Sequence, residues 1–391
     1  MRALTIPVYR PPAPEPPPTR GRWIWVLSGL GTMALVAWPI AVLISNAGDG
    51  GRGGQFEMAY PTTTRTVTVT QPVTSLSVES YGGPIQVTAG PVRHVTVTEA
   101  ISYPGPGPTP AVTAAVSAGR LTLTSASCAD AGCTIGFTVT VPEGVAVTAE
   151  SDNGGISVSG VAGANLDSDG GPVQASNVDG PLAVSSENGE ITVSGVTTPS
   201  GVSLDSGGGP VQASRIRGPL TISSEDGDIT ATDVTSPGGV NLDSGGGPIQ
   251  AARVTGPLTL TSEDGNVTLN GLTGDLNADT GGGSIAGSVS ADRASVLTED
   301  GPATFNFGGA PGYVFVDTGG GPAQLAFERP PTTVLLTTED GSASVSVPGG
   351  PYLVTASTEG ATETVDIPTS PAALRSITVS TGGAPLQIVP R

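Results

Sequence analysis

The sequence predicts an all-β fold, a parallel β-helix-like β-solenoid of about 19-residue coils, preceded by one transmembrane α-helix. Three observations predict it. Two glycine-containing phrases recur at a fixed spacing, apolar residues alternate with Ser and Thr between them, and one long apolar run without charge lies near the N-terminus. In such a fold each coil buries its apolar face against its neighbours, so the repeats have to occur in series.

The apolar run extends from Trp23 to Ser45. About 20 residues of this kind cross a bilayer as a helix. Arg outnumbers acidic residues before the run, so the positive-inside rule places the N-terminus in the cytoplasm. A cleaved signal peptide is the alternative, because Ser45-Asn46-Ala47 resembles a small-residue cleavage site. In both cases the C-terminal part is predicted to be extracellular, in the first case as a single-pass protein of the cell membrane.

The chain divides by composition into a cytoplasmic Pro/Arg-rich disordered arm at 1–22, a transmembrane helix at 23–45, a flexible tether at 46–61 and an extracytoplasmic β-repeat, adhesin-like domain at 62–391. Within that domain we expect an irregular cap at about 62–140 and regular repeats at about 141–391. The repeat is interrupted in the first part by the run from Pro104 to Pro108 and by two cysteines, and solenoids need atypical terminal coils.

The first phrase reads LDSDGGPVQAS at Leu166 and LDSGGGPVQAS at Leu204, 38 residues later. The second reads SSENGEITV at Ser185 and SSEDGDITA at Ser223, again 38 residues apart and about midway between copies of the first. Both are therefore variants of one unit that is about half as long as this spacing. Val, Ile, Leu and Ala are expected inside and Ser, Thr and Gln outside, with little room for bulky aromatics. A meander of antiparallel hairpins, or disorder, are the alternatives.

The chain carries 34 acidic residues against 15 Arg and has a net charge of −19. Such a surface repels the phosphates of nucleic acids and anionic lipid headgroups. We therefore expect no nucleic-acid partner. The expected partners are the membrane, through the chain's own helix, and an unidentified cell-surface or envelope ligand.

Acidic residues recur with both phrases. If they climb one edge of the solenoid, carboxylates about 5 Å apart repel by roughly 1 kcal/mol in water, and Ca²⁺ is the natural ion to bridge them. The alternative is that acids simply precede glycine turns. No other cofactor is expected. The calcium candidates are Asp167, Asp205, Asp243, Asp279 and Asp317, and the second series is Glu187, Glu225, Glu263, Glu299 and Glu339.

Cys128 and Cys133 lie in CADAGC. Outside the cytoplasm such a pair is predicted to close a small loop as a disulfide, whereas two free thiols are the alternative. The one histidine, His94, lies in an alternating, strand-like run without triad partners. No G-x-S-x-G motif occurs. A non-enzymatic protein is therefore predicted, although paired carboxylates leave a polysaccharide-cleaving enzyme as a hypothesis.

Five aromatic residues cluster late in the repeats, where they form either a surface patch or a wider core. They are Phe305, Phe307, Tyr313, Phe315 and Phe327.

The phrases D-S/T-G-G-G and E-D-G, set between short Val/Thr/Ile strands behind one membrane helix, resemble the bacterial "putative adhesin" family of β-strand-repeat proteins over Val67 to Val389. The resemblance implies an envelope protein without assigned chemistry, and it offers no functional residues to transfer. Adhesion or envelope contact is the leading hypothesis. Because some relatives accompany envelope-stress regulators, a membrane sensor with a signalling N-terminal arm is the alternative.

Overall fold

The structure is a computed structural model that describes residues 62–103, 110–125 and 133–391. The predicted cytoplasmic arm, transmembrane helix and tether lie outside the described residues. In the part of the chain that is described, no helix has the length and hydrophobicity needed to cross a membrane.

The described residues form two sheets of 17 and 16 strands, here called sheet A and sheet B. Sheet A contains β1, β3, β4, β7 and the odd-numbered strands from β9 to β33, and sheet B contains β2, β5, β6 and the even-numbered strands from β8 to β32. The strands are β1 (Thr62–Val69), β2 (Ser75–Ser80), β3 (Gly82–Gly90), β4 (Val95–Ser102), β5 (Val112–Ser117), β6 (Arg120–Ser125), β7 (Thr134–Pro142), β8 (Ala146–Ser151), β9 (Ile156–Ser159), β10 (Ala164–Ser168), β11 (Val173–Ser176), β12 (Leu182–Ser186), β13 (Ile191–Thr197), β14 (Val202–Ser206), β15 (Val211–Arg217), β16 (Leu220–Ser224), β17 (Ile229–Thr235), β18 (Val240–Ser244), β19 (Ile249–Thr255), β20 (Leu258–Ser262), β21 (Val267–Thr273), β22 (Leu276–Thr280), β23 (Ile285–Ser290), β24 (Arg293–Thr298), β25 (Ala303–Phe307), β26 (Tyr313–Asp317), β27 (Ala323–Phe327), β28 (Thr333–Thr338), β29 (Ala343–Val347), β30 (Leu353–Thr358), β31 (Glu363–Val365), β32 (Ser376–Thr381) and β33 (Leu386–Pro390).

From β8 to β29 the chain winds as a solenoid in which each coil gives one strand to sheet B and the next to sheet A. Neighbouring coils pair in parallel. Leu166 pairs with Val184 and Val184 pairs with Leu204, so from β10 to β18 a slightly shorter coil alternates with a slightly longer one. From β18 to β24 successive coils have the same length. Two successive coils together make up the spacing of the phrases. The predicted β-solenoid is confirmed, and the antiparallel meander is wrong for these coils.

The core lies between the sheets and follows the period-two alternation. In β14 the side chains of Val202 and Leu204 are buried, while Ser203 and Asp205 point outward and are exposed. In β13 to β21 the sheet A strand continues past a residue with positive φ and buries one more apolar residue, such as Ile216 in β15.

Three phenylalanines are part of this core, contrary to the expectation that bulky aromatics do not fit. Phe305, Phe307 and Phe327 are at most 1% exposed. The ring centroids of Phe307 and Phe327 lie 4.8 Å apart at an interplanar angle of 9°. Gly287 pairs with Phe305 in the neighbouring strand, so a residue without a side chain lies next to the wider coil.

A column of buried hydroxyls follows the last core position of the sheet B strands, so the expectation that Ser and Thr lie outside is wrong at this position. Each hydroxyl bonds the backbone of the turn that follows: Ser206 Oγ donates to the carbonyl of Gly209 at 2.7 Å, and the N–H of Gly227 donates to Ser224 Oγ at 2.9 Å. These bonds satisfy polar groups at a corner that water does not reach. The column consists of Ser80, Ser151, Ser168, Ser186, Ser206, Ser224, Ser244, Ser262, Thr280, Thr298, Thr318, Thr338 and Thr381.

Glycines stack directly on one another in the same turns. A Cβ added to any of them would overlap the carbonyl oxygen of the stacked glycine in the neighbouring coil. The turns can therefore approach closely only because this position carries no side chain. The stacked glycines are Gly154, Gly171, Gly189, Gly209, Gly227, Gly247, Gly265, Gly283, Gly301, Gly321 and Gly341.

The order of coils is exchanged at both ends. Strands β2 and β3 form a coil that lies between the coil of β6 and β7 and the coil of β8 and β9. At the other end, the coil of β32 and β33 lies between that of β28 and β29 and that of β30 and β31. Antiparallel pairing in the described residues occurs only at the N-terminal end, between β1 and β4, β4 and β7, and β5 and β6.

Candidate functional site

The five Asp residues lie in one column on the outer face of sheet B. Four are exposed and Asp317 is half-buried. Along this column Asp205 pairs with Ser185 and Ser223, and Asp243 follows two coils after Asp205. Carboxylates of the series therefore recur every second coil, about 9.6 Å apart, and repel by only about 0.4 kcal/mol in water. The expectation of carboxylates about 5 Å apart is wrong for this series.

The five Glu residues of the second series lie in the adjacent column, at the first turn position, and all are exposed. From Glu225 onward they alternate with glycine, since the N–H of Glu225 donates to the carbonyl of Gly207 and the N–H of Gly245 donates to the carbonyl of Ser224. Glu187 instead follows Asp169 at this position, and Asp169 follows Asp152. The period of the phrases thus places one acid of each kind in alternate coils. This arrangement limits repulsion without a bridging ion.

Across the described residues, no group of three or more His, Cys, Asp or Glu side chains is placed to hold a metal ion. The calcium hypothesis for Asp167, Asp205, Asp243, Asp279 and Asp317 stays a prediction. The turn interpretation accounts for the observed hydrogen bonds, because the residues after each acid make the buried turn described above.

The Asp column lacks this alternation at its N-terminal end. Glu79, Glu150 and Asp167 follow one another in three adjacent strands, since Glu79 pairs with Glu150 and Glu150 pairs with Asp167. Burial raises the pKa of Glu150, and the charges of Glu79 and Asp167 raise it further. Sequence reasoning missed this cluster because the coil of Glu79 is out of chain order, so that no spacing relates it to Glu150.

We predict that Glu150→Gln stabilises the protein at neutral pH. Because the folded-state pKa of Glu150 lies above its ordinary value of 4.5, folding disfavours the ionised form. Glu150 therefore contributes most to the free energy of unfolding below pH 4.5. That contribution is lost as the pH rises through the folded-state pKa of Glu150. Thermal melting of parent and variant from pH 3 to 8 measures the effect, and the gap should open above about pH 4.5 and close below it.

Glu225→Gln is the matched control, because Glu225 lies between Gly207 and Gly245 in the turn column and has no acidic neighbour there. It should melt like the parent at every pH. A constant gap between parent and Glu150→Gln across the range would contradict the electrostatic explanation.

Glu99 is the most buried carboxyl group of the described residues, at 2% exposure. Its strand β4 turns it inward, its Oε2 has no hydrogen-bond partner among the described residues, and the nearest cation, Arg65, lies 4.0 Å away. Burial raises the pKa of Glu99, and the charge of Arg65 opposes that shift. Glu99 belongs to the antiparallel end of the solenoid, not to either acidic column.

His94 is exposed in the segment before β4. Cys133 is buried and disulfide-bonded. Because Cys128 lies outside the described residues, the pairing of Cys128 with Cys133 stays a prediction. These positions bring no catalytic constellation into view.

The aromatic cluster divides between the two sides of the sheets. Whereas three of its phenylalanines are core residues, Tyr313 is 41% exposed and Phe315 is half-buried on the outer face of sheet B. Leu297 and Leu353 are also exposed on that sheet. The outer face thus becomes more apolar toward the C-terminal coils.

The outer face of sheet A is uncharged in its central column. Gln174, Thr192, Gln212, Thr230 and Gln250 pair in succession along it. A second surface feature is a groove of about 620 Å³ over the start of the sheet B strands β8 to β16. It is lined by small, hydroxyl and apolar residues and by Asn165, without a titratable side chain. Both surfaces offer hydrogen bonds and shape rather than acid–base groups.

Comparison with known proteins adds a family description. Residues 134–301, which include β7 to β24, match the model of the family described as Toastrack DUF4097. The match confirms, over this range, the resemblance predicted from the turn phrases. No sequence among the curated proteins matches the chain.

Two solved structures are similar to the chain. One, described as a putative cell adhesion protein from Clostridium sporogenes, is 8% identical, with a TM-score of 0.18, and covers 85% of this chain and 100% of its own. The other, described as a putative adhesin from Bacteroides fragilis, is 14% identical, with a TM-score of 0.23, and covers 84% of this chain and 97% of its own.

Proposed function

We propose that the protein is a non-enzymatic cell-surface module that makes adhesive or envelope contacts through the outer face of sheet A. The observation that carries the proposal is the column of alternating Gln and Thr along that face. Because neighbouring coils lie about 4.8 Å apart, the column presents hydrogen-bonding groups at a regular spacing. An extended, repetitive ligand such as a surface polysaccharide can meet many of these groups at once, each contact being weak.

The sheet A face suits this role better than the sheet B face. Cell surfaces are mostly anionic, and the sheet B face carries both acidic columns, so that approach through sheet B is repelled. The predicted helix at 23–45 would hold the module at the membrane with its repeats outside.

The full chain, tagged at both ends, can be expressed in bacterial cells. Protease added to intact cells should remove the C-terminal tag and spare the N-terminal one. The same cells should be retained several-fold more than vector-only cells on a surface coated with bacterial envelope polysaccharide.

A double variant, Gln174→Glu with Gln250→Glu, adds charge to the exposed column without touching the core and should lower retention. Its control, Asn165→Asp with Asn241→Asp, adds the same charge to exposed positions of the sheet B face and should leave retention unchanged. Retention equal to that of vector-only cells, or a C-terminal tag that protease cannot reach, would refute the proposal.

A further inference from the structure

A left-handed backbone position follows the first four residues of the sheet A strands, and it forms a column of its own. The residues in it have φ between 52° and 79°. Glycine adopts this conformation freely, whereas other L-residues are strained in it, Asn and Asp least. The column consists of Gly160, Asn177, Gly195, Arg215, Asp233, Arg253 and Gly271.

Charged residues fill this position in three successive coils. The register places Arg215 beside Asp233 and Asp233 beside Arg253, with Gly195 and Gly271 on either side. Glycine would suit the backbone of these coils better, as it does in the adjoining ones. The backbone conformation therefore does not explain why arginine occupies this position in two coils. We infer that the arginine side chains have a role of their own.

The side chains form an open pocket of about 240 Å³ lined by Arg215, Arg217, Asp233, Thr235 and Arg253. Arg253 donates two hydrogen bonds to the carboxylate of Asp233, at 2.5 Å and 3.0 Å. Asp233 is hydrogen-bonded to one arginine, and its pKa is lowered chiefly by that hydrogen bond and further by the charges of Arg253 and Arg215.

Two guanidinium groups remain available. Within the described residues, neither Arg215 nor Arg217 donates a side-chain hydrogen bond or forms an ion pair closer than 4 Å. Three arginines against one aspartate give the pocket a charge of +2, on a chain whose net charge is −19. A local reversal of sign in a concave site selects for anions.

We propose that this pocket binds a single phosphate or sulfate group. Guanidinium forks match the oxygens of such groups, and the hydroxyl of Thr235 can donate a further hydrogen bond. The pocket lies toward the end of the sheet A strands, so the inference deepens the proposed surface role. It rests on that role only for the source of the phosphate or sulfate group.

The test is isothermal titration calorimetry of the purified full chain, in nonionic detergent at low ionic strength, with two probes. Inorganic phosphate presents the free anion, and a linear poly(glycerol phosphate) presents the same group on a chain. We expect binding of inorganic phosphate that weakens with salt. Equal affinity per phosphate for both probes supports a site for a small anion, whereas tighter binding of the polymer supports a site for a polymer-borne group.

The variants take their replacements from the column itself, so the fold should tolerate them. Arg215→Gly should weaken binding about tenfold or more, since it removes charged hydrogen bonds to the anion. Arg253→Gly should weaken it to a similar extent, because it leaves the carboxylate of Asp233 uncompensated beside the anion. The melting temperature of both variants should stay level or rise. Asp233→Asn should tighten binding several-fold, because it removes the competing carboxylate and frees Arg253. Arg329→Gln, an exposed charge change outside the pocket, should have no effect.

The proposal is overturned if inorganic phosphate does not bind, or binds equally to parent, Arg215→Gly and Arg253→Gly. It is also overturned if the glycine variants melt lower and Asp233→Asn binds no better, because the residues would then form only a structural ion ladder. Phosphate binding without cell retention would refute the proposed function and support the anion site. Cell retention without phosphate binding would refute the anion site and support the proposed function.

Discussion

Gly209→Ala is expected to destabilise the protein by about 3 kcal/mol or more. The added Cβ would overlap the carbonyl group of Gly189, coming to 2.6 Å from its carbon and 3.0 Å from the carbonyl oxygen of Asn188. These atoms are backbone in a parallel ladder, so they can move only by separating two coils and weakening their hydrogen bonds. Thermal melting and guanidinium unfolding of the full chain, followed by circular dichroism, measure the loss.

The matched control lies one residue away in the same turn. A Cβ on Gly208 would meet no heavy atom within 4 Å, so Gly208→Ala should change stability by less than about 0.5 kcal/mol. Equal unfolding midpoints for the two variants would show that stacking of the turns does not require glycine. Because repeats unfold as neighbours coupled through their interfaces, a broadened transition for Gly209→Ala would also be consistent with local separation of coils.

The solenoid could be predicted because residues one coil length apart in the sequence lie next to each other in stacked coils. Each phrase recurs at a regular spacing, and a variant of it lies midway between the copies. This pattern predicts two coils per period, and Leu166, Val184 and Leu204 pair as it predicts. The core followed from alternation for the same reason. Both inferences use only the local alternation and a nearly constant coil length, which the chain keeps from β8 to β29.

The buried hydroxyl column was predictable and was missed. Ser206 lies two residues after Leu204, so period-two alternation places both side chains on the inner face. The expectation that Ser lies outside followed residue type instead of position. A serine that can bond the backbone of the next turn is stable inside, because its hydroxyl is satisfied there.

Other features depend on information that local pattern lacks. The exchange of coils at both ends is a choice between equivalent stacking partners, and the cluster of Glu79, Glu150 and Asp167 depends on it. The arginine pocket depends on a backbone bend that the sequence marks only weakly, through Gly195 and Gly271 at the equivalent positions. Once the bend is known, Arg215, Asp233 and Arg253 can be recognised as charged residues at positions where the adjoining coils have glycine.

The packing of the phenylalanines predicts the second large effect. Phe307 has no exposed surface, and its ring stacks on Phe327 at 4.8 Å and lies 5.8 Å from Phe305. Phe307→Ala should therefore cost about 3–5 kcal/mol, through lost apolar burial and a cavity that the stiff β-sheet backbone cannot close. Loss of stability is again measured by melting and denaturant unfolding of the full chain.

Two further variants separate core packing from a general effect of removing an aromatic ring. Phe307→Leu leaves a smaller cavity and should cost clearly less than Phe307→Ala. Phe315→Ala removes the same ring from a half-buried position on the outer face of sheet B and should cost about 1 kcal/mol or less. If Phe315→Ala proved as costly as Phe307→Ala, the outer aromatic face would contribute to stability as the core does. The assignment of these five aromatics to two different environments would then be wrong.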